Sequence, residues 1–276
     1  MALPCGGVRP FLRWAGSKRQ LLPILVTYWN DKYDRYVEPF VGSACLFFHI
    51  APSKAILGDL NAELIGTLRE LKKNPKETSA CLKQFRKGRK RYLAVRRIDP
   101  ASISTPERAA RFIYLNRFCF NGLYRTNTAG RFNVPYGGEK SGSLPSKEHL
   151  LACSGLLKKT TLVAGDFEKV LECVKPGDFV YMDPPFSVKA RRVFNEYDGS
   201  VFSFDDVVRL RGCMEDLAIH NISFLVSYAE SDEADFLKRG FHTEVVTVRR
   251  NIAGFSDNRV HSHELLISFT APKKGG

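Results

Sequence analysis

Apolar positions along this chain fall into short runs separated by turn residues. Residues 33–49 read as strand, glycine turn, helix, through Tyr36-Val37-Glu38-Pro39-Phe40-Val41-Gly42-Ser43-Ala44. A second apolar run, Ala55-Ile56-Leu57-Gly58, ends in Asp59-Leu60-Asn61, and a helix is expected over 62–72 with Asn61 as its N-cap. This βαβ opening argues for a parallel sheet. The pattern then changes. Residues 75–115 look helical and very polar, and 116–145 carry Asn, Gly, Thr, Tyr and Arg with turn signals throughout, as an irregular, surface-exposed insertion would. Strand-like patterning returns at 161–164, 179–182, 222–227, 243–248 and 264–269, and alternation in the last two predicts an antiparallel pair at one edge. The chain reads as one α/β core formed by 1–70 and 150–276, interrupted by a basic insertion at 71–149.

Charge sharpens this picture. The 276 residues carry 42 Lys and Arg against 29 Asp and Glu, a formal net charge of +13. Such an excess suits a polyanion, because Lys and Arg neutralise phosphates and release counterions. A soluble basic protein with no special partner has the same composition. Part of the excess is a block at Lys83, Arg86, Lys87, Arg89, Lys90, Arg91, Arg96 and Arg97. The seven cysteines are scattered with no CxxC pair, which argues against a disulfide framework or a structural zinc site. The histidines show no metal-ligand spacing, and no metal is expected. No apolar stretch reaches the roughly 20 residues that span a bilayer. The N-terminus lacks a signal-peptide apolar region, so a cytoplasmic location is expected.

The candidate chemistry is concentrated at Asp183-Pro184-Pro185-Phe186, directly behind the apolar run Phe179-Val180-Tyr181-Met182. The prolines fix φ and cannot continue a strand ladder, so a carboxylate and turn carbonyls are held at a strand's C-terminal end, where open α/β sheets bind ligands. Acceptors beside a flat ring suit the planar amino group of a nucleobase. Glu38 to Ser43 followed by Asp59 offers a glycine turn and an acid able to accept from ribose hydroxyls, although the GxGxxG fingerprint is absent. An ordinary strand–helix turn has the same residues. In FLRWAGSK, residues 11–18, Lys18 is placed to meet a carboxylate and Trp14 to pack on a ligand; a buried Trp and a solvated Lys are the plain alternative. In the stretch 116–127, Arg125 suits a guanine edge and Asn an adenine edge, while aromatic and apolar side chains suit a wedge into a base stack. A glycine-rich loop packed on its own aromatics is the plain reading there.

Together these segments resemble the Dam-type DNA adenine-N6 methyltransferases. The matching stretches are FLRWAGSK (11–18), VEPFVG (37–42), GDLN (58–61), YLNRFCFNGLYR (114–125), FNVPYG (132–137) and DPPF (183–186), in the family's order and across nearly the whole chain. The resemblance implies a Rossmann-like, S-adenosylmethionine-dependent α/β core with a helical, hairpin-bearing target recognition insertion acting on double-stranded DNA. It implies that Trp14, Lys18, Asp59 and Asp183 contact the cofactor, with Glu38, Phe40 and Gly42 in the same glycine-loop segment and Asp166-Phe167 framing its adenine. Asp183, Pro184, Pro185 and Phe186 then form the catalytic tetrad, and Asn121, Leu123, Arg125 and Pro135 contact DNA. Three departures stand out: Ala44 where the family often has Gly, Phe186 where Tyr is commoner, and a different hairpin at 126–131.

The resemblance points to N6 of a flipped adenine, with GATC as the best guess at the target from Leu123, Arg125 and Pro135. No membrane partner is implied, and a monomer is expected. A cytosine-N4 or RNA-adenine methyltransferase shares the tetrad chemistry. A DNA-binding protein that keeps the fold without methylating is the alternative from another class, and a nicotinamide dehydrogenase lacks its glycine fingerprint.

Overall fold

The computed structural model describes residues 7–185, 202–251 and 259–270. Seven strands form one sheet: β1 (Tyr36–Glu38), β2 (Ala55–Asp59), β3 (Thr160–Ala164), β4 (Phe179–Met182), β5 (Ser223–Ala229), β6 (His242–Asn251) and β7 (Arg259–Phe269). Their order is β3-β2-β1-β4-β5-β7-β6. The first five neighbours are parallel, and β7 runs against both β5 and β6. The antiparallel edge pair expected from alternation is present and longer than the pattern marked. Between β1 and β4 the winding reverses, which leaves a crevice at the carboxyl ends of those two strands.

Strand residues alternate between two cores. Tyr36, Leu57, Phe179, Tyr181, Leu225 and Leu266 face one, together with residues of α2 (Cys45–Ile50), α3 (Ala62–Lys73) and the helices that follow. Val37, Ile56, Val180, Met182, Val226 and Ile267 face the other, under α8 (Phe167–Leu171), α9 (Phe204–Ile219) and α10 (Asp232–Leu237). Covered on both faces, β1 and β4 are buried at every position without alternation, Glu38 included. The short α1 (Leu22–Leu25) also packs on the first face. Asn61 caps α3 as expected, its Oδ1 accepting from Leu64 N at 3.0 Å.

Between β2 and β3 the chain forms α3, α4 (Pro75–Lys83), α5 (Arg89–Arg97), α6 (Thr105–Phe118) and α7 (Lys147–Leu157). The helical expectation for 75–115 agrees with this, and most of its basic block is exposed, but α6 is largely buried. Residues 109–116 of α6 are all buried, Arg111 and Asn116 included. The polar residues are there because their bonds are made inside. Arg111 Nε and Nη2 donate to Val95 O (3.2 Å) and Arg96 O (3.1 Å), carbonyls of the last turn of α5, the first of which also accepts from the C-cap Ile98 N. Arg111 Nη1 pairs with Glu63 at 3.2 Å. The stretch after α6 is likewise only partly on the surface, since Cys119, Phe132 and Val134 are buried while Asn121 and Leu123 are exposed. Among the described residues no helix is long and apolar enough to cross a membrane.

Truncating Arg111 removes the side-chain donor to Arg96 O, one of two donors to Val95 O, and the cation paired with Glu63. Arg111→Ala should lower unfolding free energy by about 3 kcal/mol, read by urea denaturation. A loss well under 1 kcal/mol would contradict this account of α6.

Candidate active site and nucleic-acid-facing loop

Asp183 follows β4 directly, at the crevice. Its Oδ1 takes Lys18 Nζ at 3.0 Å and Ser227 Oγ at 3.1 Å. No described residue donates to its Oδ2, and the side chain keeps 23% of its exposure. Ser227 spends its proton on Asp183, so Tyr181 OH, 3.0 Å from Ser227 Oγ, donates to it. Lys18 is 7% exposed and forms a second ion pair, with the buried carboxylate of Glu264 on β7. Burial alone would push the Lys18 ammonium down, but the two carboxylates more than offset it and hold its pKa above the usual lysine value. Asp183 is pushed up by burial, with Lys18 opposing and Glu264 adding to the shift.

The glycine turn lies alongside. Asp59, at the end of β2, accepts from Gly42 N (3.0 Å) and Asn61 N (2.9 Å), so the acid and the turn fix each other. Burial pushes the Asp59 carboxyl up while these two amides oppose it. Gly42 has φ +45, and a Cβ there would stand 2.9 Å from Trp14 Cδ1. Only glycine lets the indole lie on this backbone. Ala44 takes a left-handed conformation, φ 55, where glycine would be unstrained. Glu38, from β1, is buried, and its Oε2 has no hydrogen-bond partner among the described residues. Burial first, and then the Asp183 and Asp59 carboxylates, raise its pKa well above the usual glutamate value.

Further along the same edge, the rings of Phe40 and Phe167 stack with centroids 5.3 Å apart. Asp166 caps α8 through Glu168 N at 3.0 Å and pairs with Arg209 at 2.6 Å. Arg209 also pairs with Glu168 and Asp206 and lies 4.8 Å over the Phe167 ring.

The loop after α6 abuts this region. Asn116 holds the backbone of Arg13 from both sides, accepting from Arg13 N (2.8 Å) and donating to Arg13 O (2.6 Å). Tyr124 stacks on Trp14, centroids 6.3 Å apart, and donates to Glu63 at 2.8 Å. Arg125 is half-buried, with its Nε on Asn133 Oδ1 at 2.8 Å. Phe120 N donates to Pro135 O at 2.9 Å, which brings Asn121, Leu123 and Pro135 onto one exposed surface with the Phe120 ring. Residues 126–131 close as a hairpin, Asn127 N donating to Arg131 O at 2.9 Å. Seven of the eight basic block residues are exposed, and Arg96 is half-buried with Nη1 on Val134 O at 3.1 Å.

The sequence-derived residues thus meet in two places. Trp14, Lys18, Glu38, Gly42, Asp59, Asp183 and Pro184 gather at the strand ends, with Phe40, Asp166 and Phe167 beside them, while Asn121, Leu123, Arg125 and Pro135 share the loop. Phe186 lies outside the described residues. Lys18 meets a carboxylate, as its place in the sequence suggested, and is not solvated. Four residues went unnoticed in the sequence: Tyr181, Ser227, Arg209 and Glu264. Glu264 had a signal, a carboxylate at the head of the otherwise apolar Leu265-Leu266-Ile267.

An acceptor-rich crevice at the switch point, on this sheet order, defines a methyltransferase-like core. The chain belongs to the D12 class N6 adenine-specific DNA methyltransferase family, whose profile it matches over residues 14–252. By that membership it is an adenine-specific DNA methyltransferase. It is 36% identical over 272 residues to the type II methyltransferase M1.LlaDCHI of Lactococcus lactis subsp. cremoris, covering 95% of each chain. It is 33% identical over 288 residues to the type II methyltransferase M.MjaIII of Methanocaldococcus jannaschii, covering 94% of this chain and 98% of the relative. A DNA adenine methylase of Vibrio cholerae is 31% identical over 268 residues, with 95% and 96% covered.

The Glu38 environment has a measurable consequence. In the unfolded chain Glu38 loses its proton above about pH 4.3, whereas the fold retains it. The folded state then binds more protons, so this residue makes stability fall as pH rises from that value towards its raised folded pKa. Glu38→Gln should flatten that fall, measured as the unfolding midpoint against pH. Parallel pH slopes in variant and wild type would contradict it.

Proposed function

We propose that this enzyme transfers the methyl group of S-adenosylmethionine to N6 of an adenine flipped out of double-stranded DNA. The observation that carries the reading is the asymmetry of Asp183: one oxygen is engaged by Lys18 and Ser227, and the other has no described donor at the mouth of the crevice. The residues present fit the cofactor. Glu38 has a buried oxygen without a described partner, Gly42 leaves room against Trp14 that a Cβ would fill, and Asp59 is an acceptor fixed by two amides. Trp14, Glu38, Gly42 and Asp59 would hold its amino acid and ribose parts, and Phe40, Asp166 and Phe167 its adenine. Lys18 would act through Asp183. When bound, the cofactor supplies an electrophilic methyl group on a sulfonium.

The chain's own contribution is positioning and electrostatics. The lone pair of an adenine amino group is delocalised into the ring and is a poor nucleophile. Asp183 Oδ2 and the Pro184 carbonyl would each accept one N6–H bond, favouring a tetrahedral nitrogen with an available lone pair. Phe186 would stack on the base, a role that rests on its place in the DPPF segment. The target cannot be reached inside a duplex, so it must leave the stack. Exposed Phe120 and Leu123 are placed to occupy the gap, and Arg125 to read a guanine. The exposed Lys and Arg of the 83–97 block would follow the phosphates. On this reading 71–149 is the recognition unit set into a catalytic core of 1–70 and 150–276. GATC is the target that Leu123, Arg125 and Pro135 favour.

Two substitutions test the assignments. Asp183→Ala should abolish methyl transfer in a protein that still melts cooperatively, and an active variant would contradict the role given to Asp183. Arg125→Ala should cost about 1–3 kcal/mol of discrimination at one guanine, read from affinities for cognate and altered duplexes. Unchanged discrimination would remove Arg125 from base recognition.

A further inference from the structure

Glu264 is a buried carboxylate that the mechanism above does not use. It is 2% exposed, at the head of the buried Leu265-Leu266-Ile267 run of β7, and its partner is Lys18. Its register partner Ala229 is at the C-terminal end of β5, on the same face as Ser227. One edge of the sheet therefore presents Glu38 from β1, Tyr181 from β4, Ser227 from β5 and Glu264 from β7 towards the Lys18–Asp183 pair. Desolvating a second carboxylate is costly, yet a single carboxylate would already match the Lys18 charge. A second one is not required to neutralise the lysine.

It changes the charge felt at the crevice instead. Lys18 and Asp183 alone sum to zero, and methyl transfer develops positive charge on the adenine nitrogen. With Lys18 shared between two carboxylates, the cluster keeps one net negative charge, and Asp183 presents it at Oδ2. We infer that Glu264 is a positioning residue for methyl transfer: by sharing Lys18 it keeps the Lys18–Asp183 pair from being electrically neutral and holds Lys18 on Asp183 Oδ1, leaving Oδ2 for the substrate amino group. This inference rests on the role proposed above for Asp183. The same arrangement pushes the Asp183 carboxyl up, Glu264 being one cause, so removing the Glu264 charge makes Asp183 easier to ionise.

The test is single-turnover methyl transfer at saturating S-adenosylmethionine and DNA, measured against pH for wild type, E264Q, E264D and Asp183→Asn. The described charged or titratable groups facing Asp183 are Lys18, Glu264, Glu38, Tyr181 and the Cys45 thiol, with Asp59 beyond Glu38. E264Q should be at least tenfold slower on the plateau, with its acid limb moved to lower pH. E264D should recover most of the rate, because it restores the charge. A wild-type rate in E264Q, or a loss with an unmoved acid limb, overturns the inference, the latter marking Glu264 as merely structural. If E264Q does not fold, E264D decides: a rate and acid limb near wild type support the inference, and a tenfold loss in folded E264D overturns it. Asp183→Asn separates the two levels. Inactive Asp183→Asn beside an unaffected E264Q refutes Glu264 alone, whereas active Asp183→Asn refutes the reading of Asp183 beneath it.

Discussion

The ammonium of Lys18 holds the active region together. It comes from the N-terminal segment and reaches a carboxylate behind β4 and another on β7, so three parts of the chain distant in sequence converge on one buried charge. Removing Lys18 leaves two carboxylates without their counter-charge where water is scarce, which is far costlier than losing a surface pair. The arrangement also explains the edge of the sheet. An antiparallel β7 beside β5 brings Glu264 level with Ala229, at the carboxyl ends of the parallel strands.

A second set of contacts locks the N-terminal segment between the sheet and the loop after α6. Asn116 grips Arg13, Tyr124 stacks on Trp14, and Trp14 lies on Gly42. A side chain one residue from Arg125 therefore touches the ring that borders the glycine turn. The loop after α6 and the crevice at the strand ends are neighbours through packed aromatics and hydrogen bonds, and their relative placement depends on the buried polar residues of α6.

Much of this was legible in the sequence because its signals are local. Asp183 to Pro185 behind an apolar run, Gly42 before a helix, Asp59 closing β2 and Asn61 capping α3 each occupy a few adjacent residues. Lys18 was legible as a cation in search of a carboxylate, but not which one, since the pairing spans most of the chain. Glu264 and Ser227 were missed for the same reason: their meaning depends on strand order and register, which alternation does not encode. The polar look of 75–115 hid the burial of α6, because composition records that Arg111 is charged and not that α5 and Glu63 satisfy it in the interior.

On the proposed function, a carboxylate and a proline carbonyl at the end of β4 act on an adenine amino group drawn from DNA. The most direct measurement is transfer of labelled methyl from S-adenosylmethionine to unmethylated genomic DNA, with the modified bases mapped. The account predicts N6-methyladenine confined to one short motif. N4-methylcytosine in its place, or unlabelled DNA from a folded, cofactor-binding protein, would contradict it.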